Sequence, residues 1–194
     1  MNERYGAAVV AIDRANEADP TRLVVRGHER PLAQAHGTLA AEWVAKLHPD
    51  SDETWLLAAR AHHLRRWELP RSEYEAGRAG YLKWKRDQRR RHADDAAALL
   101  APLGYDSATI ERVQALVRRD DLATDAGSQA VEDAACLAFL ETQLADVTTK
   151  LDRHHLIDVL RKTAKKMSPE GVAAIAHIPL ADAERNLLRE ALGR

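Results

Sequence analysis

Residues 56–67 read LLAARAHHLRRW. Leu56, Ala59, His63 and Trp67 recur at intervals of three and four, the spacing that gathers side chains on one face of an α-helix, and no β-branched residue interrupts them. His62 lies about 100° round the same helix, at the edge of that face. The same periodicity continues on both sides. Leu32, His36, Leu39, Trp43 and Leu47 form a stripe upstream, and Tyr81, Trp84, Gln88, His92, Leu99 and Leu103 form one downstream. A fourth runs through Ala130, Asp133, Leu137, Leu140 and Leu144.

Breaks fall at Pro20, Pro31, Pro49, Pro70 and the pair Pro102/Gly104. They predict helices near 5–17, 31–47, 52–67, 78–101 and 107–119. Further helices follow near 128–145, 151–166 and 181–192, with a short one capped by Ser168 and begun by Pro169. RLVV (22–25) has strand character but no evident partner. With 194 residues, 45% of them hydrophobic, one sizeable core is expected. The reading is an all-α, single-domain helical bundle of about eight to nine helices spanning 1–194. Its core lies within about 30–145, and C-terminal helices of about 150–194 pack onto it.

Charge is unevenly placed. The net charge is −1, yet residues 59–92 carry eleven Lys or Arg against four acids, about +7, leaving the remainder near −8. A patch of that kind selects partners, while the sequence pI near 6.8 argues against a general nucleic-acid coat. Cys136, the only cysteine, sits in the apolar run ACLAFL and cannot form an internal disulfide, which fits a reducing compartment; a cytoplasmic location is expected. The N-terminal stretch has acids on both sides of a short apolar run, unlike a signal peptide, and nothing approaches the length of a membrane span, so no membrane partner is expected.

The inward stripes contain polar exceptions: His36, His62, His63, His92 and Asp133. A single buried histidine is ordinarily a neutral core residue with one ring nitrogen hydrogen-bonded. A buried aspartate needs a cation or several donors. Four imidazoles and a carboxylate on neighbouring helices satisfy one another around one divalent metal ion, for which Zn, Mn, Fe and Ni are the candidates. Arg65, Arg66, Arg71, Arg78, Lys83 and Lys85 flank the doublet and the helix carrying His92, where they could hold an anion. Arg89, Arg90 and Arg91 read as a solvated face with Asp94 and Asp95 as partners. Trp67, Tyr74, Tyr81 and Trp84 read as core and rim packing, Gly77 and Gly80 as a turn, and the second doublet His154–His155 as surface.

The order His36, then His62–His63, then His92 and a late Asp133 resembles the HD-domain superfamily of metal-dependent phosphohydrolases. LLAARAHHLRRW matches the superfamily's His-Asp doublet motif, with His62 on the histidine and Arg66 where a lysine stands. The resemblance implies an all-helical HD-like core and a metal held by His36, His62, His63 and Asp133. His63 replaces the doublet's aspartate, which removes the carboxylate that bridges two metals and points to a single ion. EDAACL matches the late motif loosely, leaving the ligand register open between Glu132 and Asp133. A longer resemblance, through ARAHHLRRWELPRSEY, GRAGYLKW, EDAACLAFLE and LRKTAKKMSPEG, is to a family defined as a domain of unknown function, number 4202. That one implies no activity.

The function so implied is hydrolysis of a phosphorylated or otherwise anionic small molecule, such as a nucleotide, by metal-activated water. His92 would bind a phosphate oxygen or protonate the leaving group, and Arg66 would stabilise developing charge. Arg65, Arg71, Arg78 and Lys83 would hold the substrate. The alternatives are a non-catalytic helical module binding RNA or an acidic partner through residues 60–91, and an HD-like iron oxygenase.

Overall fold

The computed structural model describes residues 3–193; Met1, Asn2 and Arg194, the ends of the expected 1–194 domain, lie outside the described residues. The described residues are all-α apart from one hairpin. Its elements are α1 (Glu3–Asn16), β1 (Arg22–Val25), β2 (His28–Pro31), α2 (Leu32–Leu47), α3 (Glu53–Ala61) and α4 (Gly77–Leu100). Then come α5 (Ser107–Arg118), α6 (Ala126–Lys150), α7 (Arg153–Ala164), α8 (Pro169–Ala174) and α9 (Asp182–Leu192).

Helix starts are set by short acceptors. The side chains of Asp52, Asp106, Asp125, Asp152 and Ser168 accept from Thr54, Thr109, Ser128, His155 and Gly171 backbone N–H groups, satisfying donors that a first turn leaves free. The stripes then meet in one core. Leu39, Leu57, Leu64, Leu100, Leu116, Leu137 and Leu144 are all 2% exposed or less. Helices α2 and α3 approach closely at Gly37, where a Cβ would stand 2.3 Å from the Arg60 carbonyl oxygen. Asp13 of α1 receives a two-pronged bond from Arg60 of α3, at 2.8 and 2.5 Å.

Two expectations are corrected. RLVV has a partner: β1 pairs antiparallel with β2, HERP, with Val25 opposite His28. Arg26 (φ 51°) and Gly27 (φ 81°) supply the two positive-φ residues of a tight hairpin turn. HERP is polar and mostly exposed, so it carries no apolar alternation to betray it. The expected 52–67 helix stops at Ala61. Arg65 adopts φ 50°, a left-handed conformation that cannot continue a helix, and the chain turns into short 3-10 segments at Arg66–Glu68 and Arg71–Glu73. His62 and His63 therefore stand just past a helix end.

Candidate functional site

The turn after α3, the second turn of α2 and the middle of α4 bring four imidazoles together. Ring centroids are 4.2 Å apart for His62–His63, 5.0 Å for His36–His63, 6.1 Å for His36–His62 and 6.2 Å for His63–His92. His36 and His63 lie stacked, 18° from parallel. His36, His62 and His92 are each 2% exposed or less.

Hydrogen bonds fix what these rings present. His62 Nδ1 lies 2.7 Å from the Ala59 carbonyl oxygen and His92 Nδ1 lies 2.6 Å from that of Leu64. A carbonyl only accepts, so both Nδ1 atoms donate and both Nε2 atoms carry lone pairs. The Thr142 hydroxyl donates to the Ala138 carbonyl at 2.6 Å, so its oxygen accepts from His36 Nε2, 2.9 Å away, leaving the lone pair on His36 Nδ1. The atoms left over, His36 Nδ1, His62 Nε2 and His92 Nε2, are buried with no hydrogen-bond partner among the described residues, and so is His63 Nδ1. Burial pushes His36 down to about 4 and His92 to about 3, with Arg66 adding to both, and holds His62 and His63 well below the usual imidazole range. All four are therefore neutral at pH 7.

The lone pairs on His36 Nδ1 and His62 Nε2, with no hydrogen-bond partner among the described residues, suit a cation. His36, His62 and His63 each offer a ligand atom within 4.8 Å of the others. Tetrahedral nitrogen ligands at about 2.1 Å from a metal stand roughly 3.4 Å apart, so these rings need close only slightly to share an ion. The outer nitrogens of His36 and His62 already donate to a hydroxyl and a backbone oxygen, the support that orients metal-bound histidines.

The histidines open on a cavity of about 380 Å³. Arg66, Lys85, Arg89, Arg119 and Lys166 line it, facing Glu132, the one carboxylate among the described lining residues. The Arg66 guanidinium lies over the Trp84 ring, 4.6 Å from its centroid, and Trp84 Nε1 donates to the Leu69 carbonyl at 2.9 Å. Glu132 is paired with Arg89 Nη2 at 2.9 Å and stands 3.3 Å from Arg119 Nε. Burial acts to raise Glu132, but Arg119 and Arg89 outweigh it and keep the carboxyl below its usual range. Burial, with Lys166 and Arg89 beside it, lowers Lys85 to about 8.

Not every expected residue reaches this place. The Asp133 carboxylate accepts from Ser168 N at 2.9 Å, Ser168 Oγ at 2.5 Å and Gln129 Nε2 at 2.9 Å. Those donors, at the start of α8 and one turn back on α6, complete its needs away from the histidines. Its neighbour Glu132 faces the cavity instead, about 100° round the helix. Arg71 is spent on the carbonyls of Tyr74 and Glu75 at 2.8 Å each, and Arg65 on Asp95 at 3.2 Å. Arg78 is exposed, and Lys83 lines a separate hollow with Glu73 and Asp87. Arg66 and His92 do reach the cavity, but His92, with Nδ1 committed to Leu64, presents an acceptor and cannot protonate a leaving group from that tautomer.

Arg89, read as solvated, turns inward to Glu132; Arg91 bonds Glu68 and reaches Asp95. Lys85, read with the basic residues that flank the doublet, reaches the site, and Arg119 and Lys166, which the sequence did not single out, complete it. Arg119 carries a signal only in the backbone: it holds φ 59° with a side chain 4% exposed, an uncommon conformation for a large residue.

A family model covers residues 6–188 and with them every residue of this site. The chain belongs to the family described as domain of unknown function (DUF4202). No curated protein and no solved structure matches it. Among the described residues of this DUF4202 chain, no helix is long and apolar enough to cross a membrane.

Asp133→Asn in the DUF4202 chain separates its two roles. An amide there places its own donor among three donors, and the change should cost about 3 kcal/mol while ion binding by the histidines stays intact. Chemical denaturation and ion titration of the same sample check this; lost ion binding at unchanged stability would return Asp133 to the ligand set.

Proposed function

We propose that the protein holds one divalent metal ion on His36, His62 and His63 and hydrolyses an anionic small molecule, with a phosphorylated compound as the favoured class. The carrying observation is the set of neutral imidazoles that each offer a ligand atom within 4.8 Å of the others, beside a wall of cations. A divalent ion so placed supplies Lewis acidity and a water of lowered pKa. Arg66, fixed by its stack on Trp84, faces the developing charge of the substrate. His92 Nε2 accepts a proton or hydrogen bond from whatever stands beside the ion, in place of the acid role. Leu32, Phe139 and Val159 give the cavity a partly apolar wall.

The experiment is metal reconstitution. Chelator-stripped protein is loaded separately with Zn, Mn, Fe and Ni, then assayed for bound metal and for release of phosphate from an aryl phosphate. One ion per chain is expected, falling at least tenfold in affinity in a His62→Ala plus His63→Ala variant. Protein that takes up none of the four ions ends the reading. Oxygen-dependent turnover confined to the iron-loaded form would favour an HD-like oxygenase instead.

A second reading rests on a separate observation. Leu82, Arg86, Arg90 and Arg118 line a groove that shares Lys85 and Arg89 with the cavity. A non-catalytic module would use it for RNA, with binding that weakens steeply with salt and survives loss of both histidines.

A further inference from the structure

The cationic wall is over-supplied. Glu132 provides one negative charge to Arg89, Arg119, Lys85 and Lys166, and all four line the same cavity. Arg119 is the most deeply placed. One of its Nη atoms donates to the Val117 carbonyl at 2.5 Å, while Nε, though 3.3 Å from Glu132, has no aligned hydrogen-bond partner. Burial lowers its pKa to about 10, a displacement that an unbalanced guanidinium incurs when it leaves water. Arg119 is buried, Arg89 and Lys85 are half-buried and Lys166 stands exposed at the rim. Like charges gathered where solvent is partly excluded raise the energy of a fold unless an anion compensates them. The excess of three over Glu132 exceeds what a carboxylate ligand would neutralise. It suits a tetrahedral dianion whose several oxygens can engage a guanidinium fork and an ammonium together.

We infer that Arg119, Arg89, Lys85 and Lys166 form a receiving site for a dianionic phosphoryl group, and that Glu132 is an internal competitor occupying part of it until that group arrives. Arg89 and Arg119 then exchange one carboxylate oxygen for phosphoryl oxygens. The site names the substrate class for the hydrolase reading above and rests on it for function; the binding itself needs no metal. Glu132 gives the cations a partner in the free protein, and its repulsion speeds release of phosphate after the reaction.

The test is calorimetric titration with inorganic phosphate, on stripped and metal-loaded protein, at fixed ionic strength and pH 7. The wild-type protein should bind one phosphate in the stripped state. Glu132→Gln, which keeps the shape and removes the charge, should bind about tenfold more tightly, and Lys85→Gln about tenfold more weakly. Arg14→Gln, a charge change on the exposed face of α1, should match the wild type. Weaker or unchanged binding in a folded Glu132→Gln protein overturns the competitor role. Should that variant unfold, Lys85→Gln decides the receiving site by itself, since equal affinity there removes it. Phosphate binding without any metal uptake would sink the hydrolase alone, and metal uptake without phosphate binding would sink the receiving site alone.

Discussion

Metal-free protein should lose its helical signal between about pH 6 and pH 5, well above the range in which ordinary carboxylates titrate. His36, His62, His63 and His92 are neutral in the fold, where burial holds them at about 4, well below 6.5, well below 6.5, and about 3 respectively. In the unfolded chain each takes up a proton near 6.5. The unfolded state thus binds more protons as pH falls below 6.5, and stability drops with it. Each ring contributes about 1.4 kcal/mol per pH unit, so four approach 5.5 kcal/mol per unit. By pH 5 the accumulated loss is about 8 kcal/mol, comparable to the whole stability of a typical domain. Glu132 and the capping carboxylates, also shifted down, act only at lower pH and leave this window to the imidazoles. Proton uptake measured during denaturant unfolding at pH 5.5 should approach four per chain. An uptake of one or fewer would mean that the rings are charged in the fold. A bound divalent ion occupies the lone pairs, and zinc should move the transition to more acidic pH.

Replacing Gly37 by alanine should destabilise the protein by about 3 kcal/mol, against the usual sign for this exchange. Within a helix, alanine is favoured over glycine by up to about 1 kcal/mol. At Gly37 the new methyl would stand 2.3 Å from the Arg60 carbonyl oxygen and 3.3 Å from its carbon, and backbone cannot swing aside as a side chain can. Helices α2 and α3 must separate; α2 carries His36, and the His62–His63 pair directly follows the end of α3. The expected melting temperature falls by about 6–12 °C, and metal affinity falls with it. Gly6, on an exposed part of α1 with nothing within 4 Å, is the internal control, and Gly6→Ala should stabilise by a few tenths to 1 kcal/mol. If both alanines stabilise, the close approach at Gly37 is not what holds the rings in place.

Most of the helices could be read from spacing, because apolar stripes and proline breaks are local signals. The α2 reading of 31–47 became Leu32–Leu47, and α4 at 78–101 became Gly77–Leu100. What failed was non-local. Periodicity carried the third helix to 67, since Trp67 fits its stripe, but the left-handed Arg65 ended it earlier. The four histidines were visible as polar residues on inward faces. Asp133 obeyed the same rule for another reason, since its burial serves the cap of α8. Glu132 entered only as the alternative register to Asp133 in a loosely matching motif, and Arg119 gave no pattern, because a charged residue beside a stripe looks like any solvated position until its partner across the fold is known. Arg71 illustrates the converse: a basic residue in a basic stretch whose three-carbon stem turns back on its own loop.

The end of α3 at Ala61 has one more consequence. A helix gathers the dipoles of its peptides into roughly half a negative charge at its C-terminus, felt within the last turn. His62 is the residue that caps that terminus, and its ring is tied to the Ala59 carbonyl within it. A cation among the imidazoles would therefore meet the negative pole of a helix, which takes over part of the balancing duty that an acidic ligand has elsewhere. Because that pole is made of main-chain carbonyls, scanning side chains by substitution would pass over it, and only a shift in where the helix stops would expose it.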